Sequence, residues 1–334
     1  MKSDDEIKYH LGGDFTRDPD GTLVWSAKTY IKRILLNYKV MFGEIPKERN
    51  TPLPAKDHPE LDITPEMGPE DIARFQSIMG ALQWAVSLCR YDIQCAVMTM
   101  SRYRTCPREG HMERLKHIIG YLKRYSDAGI RFRTGHPDWS HYDNQKKQDW
   151  AKSVYGDRTE EIPWDAPDPK GASITLSTFV DANLMHDLIT GRSATGILHF
   201  ICGTPVATFS KRQDTVETAT YGSEFVAARI AVEQIMDIRM TLRYMGVPVV
   251  GSTYMFGDNQ SVITSATVPH SVLKKRHNLL AFHRVREGIA LGTLVFNFCK
   301  SEDNMADVLT KCMGHVPMWN LIKHTLFPRC AGAA

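Results

Sequence analysis

The sequence lacks the features of a membrane or secreted protein. No apolar run approaches the roughly 18 residues that a membrane-spanning helix needs, and residues 1–6 are polar and acidic, unlike a signal or transit peptide. The seven cysteines are irregularly spaced and form no C-x-x-C pair, so neither a disulfide framework nor a zinc site is indicated. We therefore expect a reduced, soluble protein of the cytoplasm or nucleus with no membrane partner.

The sequence also lacks a strong charge of either sign. With 41 basic and 38 acidic residues the formal net charge is only +3, so any surface for nucleic acid has to be local. The densest basic stretch covers residues 102–133, which contain nine Lys and Arg residues but only three acidic ones. This stretch is either the solvated face of helices or a surface that faces phosphates, and both interpretations stay open at this point.

The length and the apolar content predict about two ordinary domains. The chain has 334 residues, of which 43% are hydrophobic. Turn residues at 18–21 predict a hairpin, and a helical pattern begins at Lys28. A proline-rich stretch over residues 44–70 precedes a helical region that reaches about Tyr125. Residues 134–172 are polar and contain prolines, which is typical of a tether, although a packed excursion is the alternative.

The pattern after Gly171 changes to alternating strands and helices. We predict five strands, at residues 174–181, 196–202, 205–209, 253–256 and 293–298. A long helix at 218–244 lies between the third and fourth strands, and a last helix at 305–312 follows the fifth. This order predicts a mixed five-stranded sheet with helices packed on it. In this prediction Asp181 closes the first strand and Asp258 closes the fourth, where Phe256 leads into Gly257 and Asp258.

The positions of these two acids suggest a metal site. The first and fourth strands are good candidates for parallel neighbours, because the connection between them is long enough for a crossover. Asp181 and Asp258 would then lie close together, and their repulsion would favour a bound cation. Oxygen ligands without His or Cys favour Mg²⁺ or Mn²⁺, and two such ions can hydrolyse a phosphodiester. The alternative is that Asp258 only caps a helix that begins at Asn259.

Four blocks of the sequence resemble the C-terminal part of the Pol polyprotein of copia-type LTR retrotransposons. In the family's order they are residues 179–187 with 191–196, residues 209–213 with 217–225, residues 257–261, and residues 304–311. Matching residue by residue places the family's four RNase H acids on Asp181, Glu224, Asp258 and Asp307. Further upstream, residues 78–84, 90–93 and 111–123 resemble the helical connection to reverse transcriptase, so the resemblance covers nearly the whole chain.

The resemblance implies an α/β, ribonuclease H-like fold preceded by a small, mainly helical domain. It divides the chain into residues 1–65 (remnant of the reverse transcriptase end), 66–133 (helical connection), 134–172 (linker), 173–315 (RNase H-like domain) and 316–334 (C-terminal tail). It also implies two Mg²⁺ or Mn²⁺ ions among the acids. In this assignment Asp181 bridges both ions, Glu224 and Asp258 hold one, and Asp307 completes the other.

The function implied by the resemblance is a metal-dependent endonuclease that hydrolyses the RNA strand of an RNA–DNA hybrid. The residues expected to contact the hybrid, each with a solvated surface position as the alternative, are Lys211, Arg212, Lys274, Lys275, Arg276 and His277. His277 could instead assist product release or proton transfer.

A different class of function is also open. The family's polymerase palm, with its paired aspartates, has no counterpart in this chain, so we expect no polymerase activity from it alone. The alternative function is therefore a non-catalytic, truncated retrotransposon fragment that folds and binds nucleic acid or a polymerase partner. A reverse transcriptase polymerase domain is the protein partner expected in either case.

Overall fold

A computed structural model describes residues 7–139, 142, 148–273 and 275–327. The chain forms two compact units. Unit 1 consists of Met1–Arg133, Asp187–Ile189 and Lys311–Ala334, and unit 2 consists of Thr134–His186 and Thr190–Thr310. No helix among the described residues is both long enough and apolar enough to cross a membrane.

Unit 1 is mainly helical, with one small antiparallel sheet. Its strands, in their order across the sheet, are β1 (Tyr9–His10), β2 (Gly13–Arg17), β3 (Leu23–Ser26) and β4 (Gly129–Arg131). Its helices are α1 (Lys28–Phe42), α2 (Pro69–Ser87), α3 (Gln94–Met100), α4 (Glu109–Arg124) and α8 (His315–Leu326). The predicted hairpin is confirmed as β2–β3, and its turn has Gly21 at φ 83°, a conformation that glycine adopts readily.

A buried ion pair lies inside unit 1. Arg90 and Asp92 are both fully buried, and the guanidinium donates to the carboxylate at 3.0 and 2.7 Å. The hydroxyl of Tyr121 on α4 donates to the same carboxylate at 2.8 Å, and Arg90 also donates to the carbonyl of Tyr125. Since every one of these groups has left water, each depends on its partners for its hydrogen bonds.

The basic stretch at residues 102–133 carries many of its own counter-charges. Arg114 donates to Asp57 at 2.8 Å and to Asp62 at 2.6 Å, and its side chain is only 21% exposed. Arg108 pairs with Glu66, and Arg131 pairs with Asp18 and Asp20; Glu48 faces Lys123 and Arg124. Much of the positive charge that the sequence suggests for phosphate is therefore neutralised within unit 1.

Unit 2 contains the mixed five-stranded sheet that the sequence predicts. Its elements are β5 (Leu176–Asn183), β6 (Ala194–Ile201), β7 (Thr204–Arg212), α5 (Thr220–Tyr244), β8 (Thr253–Gly257), α6 (Gln260–Thr267), α7 (Leu279–Ala290) and β9 (Leu294–Phe298). The strand order is β7-β6-β5-β8-β9, antiparallel on the β7 side of β5 and parallel on the β8 side. The expected fold class and the parallel pairing of the first and fourth strands are confirmed.

Most element boundaries differ from the prediction by one to three residues, and two of the differences lie beside the acids. The strand β5 continues two residues past Asp181, because Ala182 and Asn183 keep pairing with β6. The last predicted helix is a short 3-10 helix, Met305–Leu309, capped by the side chain of Asn304. The expectation that Asp181 closes its strand is thus wrong. Asp181 does lie beyond the end of the pairing between β5 and β8, which stops at Phe179.

The core of unit 2 lies between the sheet and α5. Phe225, Ala228, Val232 and Ile235 recur at spacings of three and four on α5, and all are at most 1% exposed. They share one apolar cluster with Val180 and Ala182 of β5 and with side chains of α6 and α7. This packing fixes the helix along β5, which determines where its first turn lies relative to the strand.

Within unit 2, residues 148–170 are attached to α5 by an ion pair. Glu160 accepts from Arg239 at 2.6 and 2.8 Å and from Arg243 at 2.6 Å, both on α5. Burial alone would raise the pKa of Glu160, but the two guanidinium groups outweigh it and lower the pKa to about 2. The side chain of Trp150 is buried and lies beneath the guanidinium of Arg286.

Replacing Asp92 with Asn should destabilise unit 1 strongly. The substitution leaves the buried charge of Arg90 without its counter-ion, which costs about 3–5 kcal/mol. Hydrogen–deuterium exchange read by mass spectrometry would report this loss as faster exchange across α4. The matched control is Asp71→Asn in the exposed pair with Arg74, where a change within about 0.5 kcal/mol is expected. Equal protection in the two variants would contradict the role given to the buried pair.

Replacing Glu160 with Gln should destabilise unit 2 in a pH-dependent way. The carboxyl titrates near pH 2 in the folded protein and near 4.5 when unfolded, so its stabilisation is present above about pH 4.5 and disappears toward pH 2. At pH 7 we expect a loss of about 3 kcal/mol in the free energy of unfolding. Thermal unfolding from pH 7 to pH 3 should show this difference shrinking below pH 4.5, whereas the exposed control Glu233→Gln shows little difference at any pH. A Glu160→Gln difference that stays constant with pH would overturn the assignment.

Candidate metal centre

Three carboxylates from three different elements converge in unit 2. Asp181 lies on β5, Glu224 lies in the first turns of α5, and Asp258 directly follows β8. One carboxylate oxygen from each lies within 4.8 Å of those from the other two. Asp181 and Glu224 are buried, at 1% and 8% exposure, and Asp258 is half-buried. Three like charges this close repel one another strongly unless a cation or protons neutralise them.

The sheet register explains why two of these acids meet. Phe179 of β5 is paired with Phe256 of β8 in the parallel ladder. Asp181 and Asp258 each follow this pair by two residues, so both lie at the same level just beyond it. The crossover that contains α5 then brings Glu224 over the same end of β5. The convergence is therefore a consequence of register and helix packing together.

Helix capping does not account for Asp258. The residue that caps α6 is Asn259, whose side-chain oxygen accepts from the backbone N–H groups of Ser261 and Val262 at 3.1 and 3.2 Å. The carboxylate of Asp258 instead accepts a hydrogen bond from the hydroxyl of Ser301 at 2.6 Å. Asp258 is thus available to the acidic group while its neighbour satisfies the helix.

Asp307, the fourth acid assigned from the sequence, is not in this group of three. It is buried at 6% exposure on the 3-10 helix Met305–Leu309. That helix is attached to β5 through Asn304, whose side-chain amide donates to the carbonyl of Val180 at 3.0 Å. Asp307 therefore lies on a segment anchored one residue from Asp181, and its place among the metal ligands stays a prediction.

Side chains that the sequence analysis does not single out brace the acids. Thr310 donates from its hydroxyl to Asp181, and Ser301 does the same for Asp258. The amide of Gln213 is buried and donates to the carbonyl of Ser223, directly before Glu224. Two of them, Thr310 and Gln213, fall inside the four sequence blocks. Their contacts join residues 129 and 10 positions apart, so no local pattern relates them to these acids.

The nearest thiol does not alter the oxygen character of the group. Burial raises the pKa of Cys299 to about 12, and negative charge on Asp258, Asp303, Asp307 and Asp181 acts in the same direction. The thiol is therefore protonated at neutral pH when no cation is bound, and it is not one of the three converging ligands. An all-carboxylate donor set fits a hard divalent cation such as Mg²⁺ or Mn²⁺.

Several of the predicted nucleic-acid contacts line one cavity of unit 2. Lys211 and Arg212 at the end of β7 and His277 before α7 line a cavity of about 450 Å³. The imidazole of His277 lies 3.1 Å from the buried carboxylate of Glu217, and Lys275 donates to the hydroxyl of Thr218 at 3.3 Å. Arg276 begins the 3-10 helix Arg276–Asn278, and Lys274 lies outside the described residues.

Known proteins similar in sequence cover most of this chain. The Pol polyprotein of transposon RE1 of Arabidopsis thaliana is 22% identical over 320 residues, which are 96% of this chain and 19% of that protein. The Pol polyprotein of transposon TNT 1-94 of Nicotiana tabacum is 23% identical over 310 residues, 90% of this chain and 20% of that protein. The relatives of this chain are retrovirus-related Pol polyproteins of plant transposons. The resemblance predicted from the four sequence blocks is thereby confirmed, and the chain spans about a fifth of the length of these relatives.

No protein-family model matches the sequence. Among solved structures, LC11-RNase H1 in complex with an RNA/DNA hybrid aligns with 41% of this chain and 94% of its own, at 17% identity and a TM-score of 0.33. The N-terminal RNase H domain of rv2228c from Mycobacterium tuberculosis aligns with 41% of this chain and 91% of its own, at 9% identity and a TM-score of 0.32.

Mn²⁺ should stabilise unit 2 through the three converging acids. At a concentration of 100 times Kd, binding adds about 2.7 kcal/mol to the free energy of unfolding, which raises Tm by roughly 5–10 °C. Differential scanning fluorimetry should show this shift for the wild-type protein and not for Glu224→Gln. In EDTA the Glu224→Gln variant should be at least as stable as the wild type, because one of three repelling charges is gone.

The control for this experiment is Glu233→Gln on the same helix. Glu233 forms an exposed ion pair with Arg229, and its side chain is 44% exposed. Its replacement by Gln should therefore leave the Mn²⁺-induced rise in Tm unchanged. A Glu224→Gln variant that keeps the full shift would contradict a metal centre at this position.

Proposed function

We propose that unit 2 is a metal-dependent endonuclease of the RNase H type, which hydrolyses the RNA strand of an RNA–DNA hybrid. The observation that carries the proposal is the approach of Asp181, Glu224 and Asp258 to within 4.8 Å of one another. Charges of one sign at this distance are costly without a cation, and their burial increases the cost. A fold that keeps them there has a use for a cation.

The donor set defines the chemistry of this site. Asp181, Glu224 and Asp258 would hold the divalent cation, with Asp307 as the fourth acid assigned from the sequence blocks. When bound, Mg²⁺ or Mn²⁺ supplies an activated water and stabilises the charge that develops on the leaving oxygen of a phosphodiester. The protein's own contribution is to hold the carboxylates close together, with Asp258 and Asp181 fixed in direction by Ser301 and Thr310.

The sequence blocks and the relatives support the proposed substrate class. The blocks that contain the acids resemble the RNase H part of copia-type Pol, and the relatives carry the name of Pol polyproteins. Lys211 and Arg212 line a cavity in the same unit and provide positive charge there, as a nucleic-acid backbone requires. A reverse transcriptase polymerase domain as partner remains a prediction, since the relatives are much longer than this chain.

The test is cleavage of a hybrid with labelled RNA. Purified full-length chain should cut the RNA strand with Mg²⁺ present and should not cut it in EDTA. Asp181→Asn keeps the size of the side chain and removes a charge from the metal site, so the rate should fall roughly a thousandfold or more. The Glu233→Gln variant, purified in parallel, should retain the wild-type rate.

Three outcomes have different meanings. Cutting that survives in EDTA or in Asp181→Asn points to another nuclease and defeats the proposal. Hybrid binding without any cutting favours the second function, a nucleic-acid-binding fragment that has lost catalysis. Cutting of single-stranded RNA or duplex DNA at the same rate would retain the nuclease and reject the hybrid as its substrate.

A further inference from the structure

A hydroxyl group on a distant segment contacts the most buried of the three acids. Thr310 donates a hydrogen bond from its Oγ1 to the Oδ2 of Asp181. Thr310 is 0% exposed and Asp181 is 1% exposed, and 129 positions of sequence separate them. Thr310 directly follows the 3-10 helix Met305–Leu309, which carries Asp307. The contact therefore joins the strand that holds one acid to the segment that holds another.

Packing fixes the side chain of Thr310 from the opposite side. Gly196 is paired with Asp181 across the sheet, and a side-chain carbon there would lie 2.6 Å from the Cγ2 of Thr310. The methyl group of Thr310 thus occupies space that only glycine leaves open. The backbone N–H of Thr310 also donates to the carbonyl of Asp307 at 3.1 Å. The Oγ1 of Thr310 is thereby held beside the carboxylate of Asp181, and its other acceptor is the carbonyl of Asp307 at 3.2 Å.

We propose that Thr310 is a positioning residue for the metal centre, which holds the carboxylate of Asp181 in place against the repulsion of Glu224 and Asp258. This inference rests on the metal site of the proposed function. A hydrogen bond to a charged acceptor is stronger than one between neutral groups, and here it acts where water cannot replace it. Groups that orient metal ligands in this way typically change metal affinity by 10- to 100-fold when they are removed.

The test is Mn²⁺ binding measured by titration calorimetry, without substrate. Thr310→Val keeps the shape of the side chain and removes the donor, so the Kd for Mn²⁺ should rise by roughly 10- to 100-fold. Thr310→Ser retains the hydroxyl and should bind Mn²⁺ within about threefold of the wild type. Rescue by Ser distinguishes positioning from a loss of packing, because Ser lacks the methyl group that fills the space beside Gly196.

The matched control is Thr293→Val in the same unit. Thr293 is also 0% exposed, but its hydroxyl has no hydrogen-bond partner among the residues that the structure describes, so the same substitution should leave the Kd for Mn²⁺ unchanged. If near-ultraviolet circular dichroism shows that Thr310→Val does not fold, Thr310→Ala takes its place with the same expected loss.

The outcomes separate this inference from the proposed function. A wild-type protein that binds no Mn²⁺ would defeat the metal centre itself. If Thr310→Val binds Mn²⁺ as tightly as the wild type, or if Thr310→Ser binds it as weakly as Thr310→Val, the role of Thr310 is overturned. The nuclease proposal stands in either case.

Discussion

Electrostatic repulsion among three carboxylates is the constraint around which unit 2 is arranged. Oxygens of Asp181, Glu224 and Asp258 lie within 4.8 Å of one another, and two of these side chains are buried. At such distances like charges repel one another, and side chains that were free to rotate would separate. The surrounding structure has to prevent that separation, so the backbone that carries each acid must be rigid.

The rigidity comes from placing each acid on a different, well-packed element. β5 is the central strand, paired on both sides, and α5 is fixed along it by an apolar face that includes Phe225 and Val232. The segment after β9 closes the arrangement, because Ser301, Asn304 and Thr310 bond in turn to the regions of Asp258, Val180 and Asp181. One short segment thereby connects the ends of two parallel strands. Hydrophobic packing sets the coarse positions, and polar contacts from this segment fix the directions of the carboxylates.

The sequence predicts the frame of this site better than its details. Strand and helix periodicity, together with the crossover rule, were sufficient for the mixed sheet and for the parallel pairing that brings Asp181 and Asp258 together. The predicted end of β5 was wrong by two residues, because β5 stays paired with β6 beyond the point where its pairing with β8 ends. The contact of Thr310 with Asp181 could not be predicted, since no local pattern relates residues 129 positions apart. For the same reason the sequence could not predict the ion pair of Arg114, because its partner Asp57 lies 57 residues earlier.

Cations with weak partners suit the nucleic-acid contacts of the proposed function better than cations with strong partners do. Arg114 of unit 1 has two carboxylate partners and is 21% exposed, so exchanging them for phosphate would leave two poorly solvated acids unpaired. Lys211 of unit 2 differs, because its partner Asp214 is 3.5 Å away and both side chains are well exposed, at 61% and 82%. Such a surface pair contributes little free energy, so phosphate can replace the carboxylate at small cost. In the proposed function, a chain with a net charge of only +3 would therefore bind a polyanion through cations whose present partners are weak.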